Sequence, residues 1–362
     1  MKPLSFVLAT AALTAACATG SDSARDTAAN AAAATSSSGA VDLTGAGATF
    51  PAPLYTKWFD EYATKAGIKI NYQSIGSGGG IRQLLEQTVD FGASDAPMSD
   101  EELAKSKAGP IVHIPTVLGA DVVTYNIPGV TQSLKFTGEL VADIFLGRVT
   151  KWNDTRIATL NPGVQLPNSD VIVVHRSDGS GTTYIFTDYL STVSAAWKSG
   201  PGKGKDVKWP AGLGARGNEG VAGQVKQTPG AIGYVELVYA IQNKLPVATI
   251  RNAAGKFVEP TIASITAAAA GAAEKLPPNT DYRLSIVNAP GADAYPISSF
   301  TWLLVYQNQT NAEKGKKLTD FLKWALHEGE QSAAALHFAP LPASLVTRLD
   351  QTIATVKVGA TP

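Results

Sequence analysis

Short runs of β-branched and apolar residues alternate along this chain with amphipathic stretches of helical period, and that alternation admits few folds. Ile68 to Tyr72, Val171 to Val174, Ile232 to Val235 and Phe300 to Tyr306 have the composition of strands. Leu54 to Ala66, Gly80 to Thr88, Thr182 to Leu190, Val221 to Gln227 and Ala312 to His327 have the spacing of helices. Strand and helix in turn predict α/β layers, with largely parallel sheets and helices on both faces. The chain has 362 residues, more than one hydrophobic core of about 250–300 residues usually holds, so two lobes are expected. Proline and glycine mark the joins, as at Ile127-Pro128-Gly129 and Thr228-Pro229-Gly230, but no long unstructured linker interrupts the folded part. Ordered strands must then carry the chain between lobes, near Val122 to Asn126 and Ala294 to Ser299. Lobe I is expected to be discontinuous, from residues 41–121 and 297–362, and lobe II to span 122–296.

The N-terminus has the form of an export signal. Lys2 precedes an apolar run from Phe6 to Ala16, too short to cross a bilayer and followed by small residues, so residues 1–17 are expected to be a signal peptide. Leu13-Thr14-Ala15-Ala16-Cys17 is similar to the lipobox at which bacterial lipoproteins are cleaved and acylated, with Thr14 where leucine is usual. Two outcomes stay open: acylation of Cys17, or cleavage after Ala16 or Ala18 to give a soluble periplasmic chain. Residues 18–40 are nearly all Ala, Ser, Thr, Gly, Asp and Asn and are expected to be a flexible tether.

Composition closes off several functions. The formal net charge is zero, so no basic field attracts nucleic acid or holds the chain to an anionic membrane. A single cysteine, Cys17, excludes internal disulfides and a thiolate zinc site. The four histidines are scattered and form no H-E-x-x-H pair. Neither cofactor nor metal is expected, and any anion captured must be held by local geometry.

Three segments can do this. Each places glycine and hydroxyl residues just before an amphipathic helix: Gly45-Ala46-Gly47-Ala48-Thr49-Phe50-Pro51, Gly76-Ser77-Gly78-Gly79-Gly80, and Arg176-Ser177-Asp178-Gly179-Ser180-Gly181-Thr182-Thr183. A helix N-terminus carries unpaired N–H groups and a partial positive charge, and so attracts an oxyanion without lysine. Glycine lets the backbone come close, and Ser or Thr adds a hydroxyl donor. One such segment is commonly only structural; three in one chain point to a site for a small bare anion. No G-x-x-x-x-G-K-[ST] and no G-x-S-x-G occurs, which removes the common nucleotide and hydrolase readings.

These segments, with Val89-Asp90-Phe91-Gly92-Ala93-Ser94-Asp95-Ala96-Pro97 and Pro229-Gly230-Ala231-Ile232-Gly233-Tyr234-Val235-Glu236, carry a resemblance. In order, from Val41 to the C-terminus, the chain is similar to the periplasmic phosphate-binding proteins of phosphate ABC transporters. That resemblance implies a type II periplasmic-binding-protein fold, two lobes with central sheets flanked by helices and inorganic phosphate in the cleft. It implies ligand contacts from Thr49, Phe50, Ser77 and Asp95 on one lobe and Arg176, Ser180, Gly181 and Thr182 on the other, with Asp178 supporting Arg176. It further implies a monomer without enzymatic activity, which passes phosphate to the membrane permease subunits of a transporter driven by a cytoplasmic ATPase.

Asp95 sets a carboxylate against an anion. Monobasic and dibasic phosphate carry an O–H that donates to it; fully ionised sulfate carries none and leaves like charges facing each other. Two rivals remain. A phosphate-ester hydrolase would use Ser77 or Ser180 as nucleophile and needs a positioned base or a metal cluster. A surface lipoprotein acting as sensor or adhesin would carry the same site. Trp58, Trp152, Trp197, Trp209, Trp302 and Trp324 are expected mostly in the core, and Asn218-Glu219-Gly220 reads as a helix start with no further role assigned.

Overall fold

The structure, a computed structural model, describes residues 43–270, 276–277 and 280–360. The expected signal peptide, the tether and Cys17 lie outside the described residues. One eight-stranded sheet organises the rest. Its strands are β1 (Leu43–Gly47), β2 (Ile70–Ser74), β3 (Phe91–Ser94), β4 (Ile111–Asn126), β5 (Ile172–Arg176), β6 (Leu213–Ala215), β7 (Ala231–Glu236) and β8 (Ser298–Tyr306). They stand in the order β2-β1-β3-β8-β4-β7-β5-β6.

The outer strands are parallel, β2 with β1, β1 with β3, β7 with β5 and β5 with β6. At the centre the expectation of largely parallel pairing fails. There β8 runs antiparallel to both β3 and β4, and β4 antiparallel to β7. The reason lies in the path of the chain, which leaves the first half of the sheet along β4 and returns along β8, so the two must run in opposite directions. Along its 16 residues β4 pairs with β8 from Ile111 to Ala120 and with β7 from Asp121 to Asn126, and thus belongs to both halves. All but two of its residues are buried, as in a strand covered on both faces, and those buried include the polar His113, Thr116, Asp121 and Thr124.

Six helices bear on the site or the core: α1 (Ala52–Ala66), α2 (Ser77–Leu85), α3 (Gly181–Val193), α4 (Gly217–Gln227), α5 (Leu237–Gln242) and α6 (Ala312–His327). In α1, a proline in the first turn supplies a preset φ, and the helix ends at Gly67, whose left-handed φ of 69° lets its N–H bond to the Ala63 carbonyl. Its buried face is Leu54, Tyr55, Trp58, Phe59 and Tyr62, the stripe expected of an amphipathic helix. That stripe meets Tyr72, Phe91 and Phe321, with ring centroids 5.3–6.2 Å apart. The other half has its own aromatic core, in which Tyr234 stacks between Phe186 and Trp209 at 4.3 and 5.6 Å. Trp58, Trp152, Trp197 and Trp302 are fully buried, as expected; Trp209 and Trp324 are partly buried against the same core.

Candidate functional site

The three glycine and hydroxyl segments come together. Thr49 and Phe50 follow β1, Ser77 opens α2, Asp95 follows β3, and Arg176 ends β5 just ahead of the α3 N-terminus. Thr49, Phe50, Ser77, Asp95, Arg176, Ser180 and Thr182 are all buried, each 3% exposed or less. Burial of so many polar groups at one point is costly unless they bond to one another or to something they enclose.

Arg176 is the fixed cation. It donates from Nε to Asp178 Oδ1 at 2.7 Å and from Nη2 to Asp178 Oδ2 at 2.5 Å, a two-pronged pair that orients the guanidinium. Its remaining arm reaches Thr182, with Nη1 to Oγ1 at 3.4 Å. Burial alone would raise the Asp178 carboxyl, but the Arg176 bonds outweigh it and hold that carboxyl below its usual range. Asp178 Oδ1 also accepts the Gly217 N–H at 3.1 Å, tying the arginine to the start of α4.

Ser77 bridges the two halves. Its Oγ accepts the N–H of Gly181 at 3.0 Å and that of Asp95 at 3.3 Å. Gly181 must be glycine for this approach, because a Cβ there would stand 2.5 Å from Ser77 Oγ and 2.6 Å from the Asp95 backbone N. Ser180 caps α3, its Oγ accepting the Thr183 N–H at 3.0 Å, so its hydroxyl proton is free to be donated elsewhere. Phe50 lies with its ring in the core, 6.2 Å from that of Phe338, so only its backbone can serve the site.

Asp95 is the site's acceptor. Its Oδ1 takes a hydrogen bond from Thr301 Oγ1 at 2.8 Å. Burial pushes its carboxyl up to about 7, against the opposing pull of the Thr301 bond and the Arg176 charge. His175, by contrast, faces away into packing, stacked on Trp209 with centroids 4.7 Å apart.

Sequence reasoning missed several participants. Asn218, read only as part of a helix start, is fully buried and bonds to both Thr49 and Thr182. Thr301 is a hydroxyl inside the apolar run of β8, where its β-branched shape accounts for it without any site. Tyr239 of α5 donates to the Thr49 carbonyl at 2.6 Å. Asp121 and Glu236 stand directly opposite each other on β4 and β7, both fully buried. Burial raises both carboxyls well above the usual range, and each of the two is raised further by another carboxylate.

The architecture is that of a type II periplasmic binding protein, two sheet-centred lobes with hydrogen-bond donors and the Asp95 carboxyl gathered between them. A family model described as a PBP superfamily domain matches residues 27–328. The phosphate-binding protein PstS of Xylella fastidiosa (strain Temecula1) is 46% identical over 311 residues, covering 86% of this chain and 84% of that protein. The phosphate-binding protein PstS of Pasteurella multocida (strain Pm70) is 45% identical over 308 residues, covering 85% and 88%. Among solved structures, the high-affinity periplasmic phosphate-binding protein PfluDING bound with phosphate is 20% identical with a TM-score of 0.69, covering 88% of this chain and 96% of that one. The chain belongs to the PBP superfamily and, within it, to the PstS family of phosphate-binding proteins.

Proposed function

We propose that this protein binds inorganic phosphate in the periplasm, selects it over sulfate, and delivers it to the permease subunits of a phosphate ABC transporter. The observation that carries the proposal is the meeting, at one buried point, of an aligned guanidinium, two helix N-termini, several hydroxyls and one carboxyl. Thr49, Phe50, Ser77, Asp95, Arg176, Ser180, Gly181 and Thr182 form the binding set, with Asp178 holding Arg176. Donors from hydroxyls, helix ends and Arg176 suit an oxyanion, and the Asp95 carboxylate suits one that still carries a proton. Lobe I is residues 41–121 with 297–362 and lobe II is 122–296; the change of partner along β4 between Ala120 and Asp121 supports that division. The protein acts as a monomer, with an exported N-terminus that either carries an acyl group on Cys17 or is cleaved to a soluble form. No helix among the described residues is long and apolar enough to cross a membrane.

The hydrolase reading is disfavoured by the same geometry. Ser77 Oγ is held by two backbone N–H donors and Ser180 Oγ by one, rather than by a base that would take their protons.

The test is calorimetric titration with phosphate in excess sulfate, after removing bound ligand by unfolding and refolding, with Asp95→Asn alongside. Wild type is expected to bind at micromolar concentration or tighter, and the variant to lose about tenfold or more of its discrimination against sulfate. Phosphate binding no tighter than sulfate binding in the wild type overturns the assignment, and release of product from a chromogenic phosphate ester would revive the hydrolase.

A further inference from the structure

A hydroxyl group has one proton to donate and two lone pairs that accept, so its role in a site depends on what else bonds to it. Thr49 Oγ1 accepts from the Asn218 backbone N–H at 3.2 Å and from Asn218 Nδ2 at 2.7 Å. Thr182 Oγ1 accepts from Arg176 Nη1 at 3.4 Å and from Asn218 Nδ2 at 2.9 Å. Each threonine oxygen therefore has both acceptor positions taken, and the one thing left for it to do is donate.

The side-chain amide of Asn218 is common to both. Its orientation is not free: Oδ1 accepts the Glu236 N–H at 2.8 Å, a group that can only donate, so the oxygen must point to β7 and the NH2 group to the threonines. The two amide protons are divided between the lobes, one to Thr49 after β1 and one to Thr182 in α3. The surroundings keep this arrangement dry, since Asn218, Thr49, Thr182 and Glu236 are all 2% exposed or less.

We propose that Asn218 is a positioning residue for anion binding, its amide committing the hydroxyl protons of Thr49 and Thr182 to the ligand. The proposal rests on the reading of this cleft as the phosphate site. It assigns to one buried amide a role that spans the cleft: Thr182 shares a lobe with Asn218 and Arg176, whereas Thr49 of the other lobe is made an obligate donor only when the lobes are together. A hydroxyl left with an open lone pair turns to accept from other N–H groups nearby and is lost to the anion for part of the time.

The experiment is calorimetric titration of the full chain with inorganic phosphate, for wild type, Asn218→Ala, Thr182→Val and the double variant. Asn218→Ala is expected to weaken phosphate binding about 10- to 100-fold, the scale of one to two hydrogen bonds to a charged group. In the Thr182→Val background, where one of the two hydroxyls is gone, the same substitution is expected to cost markedly less, because it acts through that hydroxyl. Equal losses in the two backgrounds, or unchanged affinity in Asn218→Ala, overturn the proposal. If the alanine variant does not fold, Asn218→Asp decides the matter. It keeps the shape and the acceptor for Glu236 N–H but offers the threonines an acceptor in place of a donor, and retained affinity in it overturns the proposal equally. Failure of the wild type to bind phosphate defeats the functional reading itself, whereas additive losses on a tight-binding wild type defeat only the role of Asn218.

Discussion

Asp121 and Glu236 show how far a single pair of residues can set the chain's response to pH. Both carboxyls are buried, and neither oxygen of Asp121 has a hydrogen-bond partner. Burial, then the Glu236 charge, pushes Asp121 well above the carboxylate range, with Arg176 opposing and Asp95 adding. A raised folded-state value means that the folded chain holds protons the unfolded chain has released. Stability is therefore full below the ordinary carboxylate range and falls as pH rises through it towards the raised value. Asp121→Asn is expected to raise unfolding free energy by roughly 1–3 kcal/mol above about pH 7 and by little below about pH 4, read from urea melts at the two pH values. A gain of the same size at both would show that packing, not ionisation, is responsible. Neither residue was legible as a site beforehand, because a lone carboxylate in a strand has no local signature and its partner is more than a hundred residues away.

At the scale of elements, the glycines of the second motif have a definite task. Gly78 and Gly79 lie within α2, and Gly78 donates its N–H to the Gly179 carbonyl at 2.8 Å across the cleft. A Cβ on Gly78 would come within 3.1 Å of the Gly179 Cα, so the two backbones touch only because neither carries a side chain. Gly78→Ala is expected to weaken phosphate binding by roughly 3- to 10-fold, about 0.7–1.4 kcal/mol, while the ligand-free melting temperature stays within a few degrees. Weakened melting with unchanged affinity would place the contact in folding rather than closure. Of the site's helices, α1 to α4 were legible to within four residues, because periodicity, prolines and hydroxyl caps are local signals, while α5 was not anticipated. The motifs also marked residues that the fold brings together, Thr49, Ser77, Asp95, Arg176, Ser180 and Thr182. What escaped was the company those residues keep: Thr301, Asn218 and Tyr239 reach the site only through the folding of distant strands and helices, and no spacing in the chain records that.

For the whole molecule, the lobes meet through polar contacts as well as through the site. Lys205 Nζ lies 2.6 Å from both carboxylate oxygens of Glu102, and Arg283 Nη1 donates to Asp100 Oδ1 at 2.7 Å. Under the proposed assignment the ligand is shared between lobes, which couples closure to binding. Small-angle scattering is expected to show a smaller radius of gyration when phosphate is added to ligand-free protein, and no change under saturating phosphate would remove the hinge. Phosphate at about 100 times its dissociation constant should add about 2.7 kcal/mol to the unfolding free energy, a rise of several degrees in melting temperature. The α/β class was readable from element order. The antiparallel centre was not, since direction within a sheet follows from where the chain must go next.

The central strands also impose a timetable. β3 pairs with β8 through Ser94 and Trp302, about 200 residues apart in the chain, so the half of the sheet that carries Thr49 and Ser77 stays open on one side until the last fifth of the polypeptide arrives. A chain emerging from its N-terminus can complete the stretch from β5 to β7 first and must hold β1 to β3 in waiting, with their apolar faces uncovered, until β8 inserts beside them.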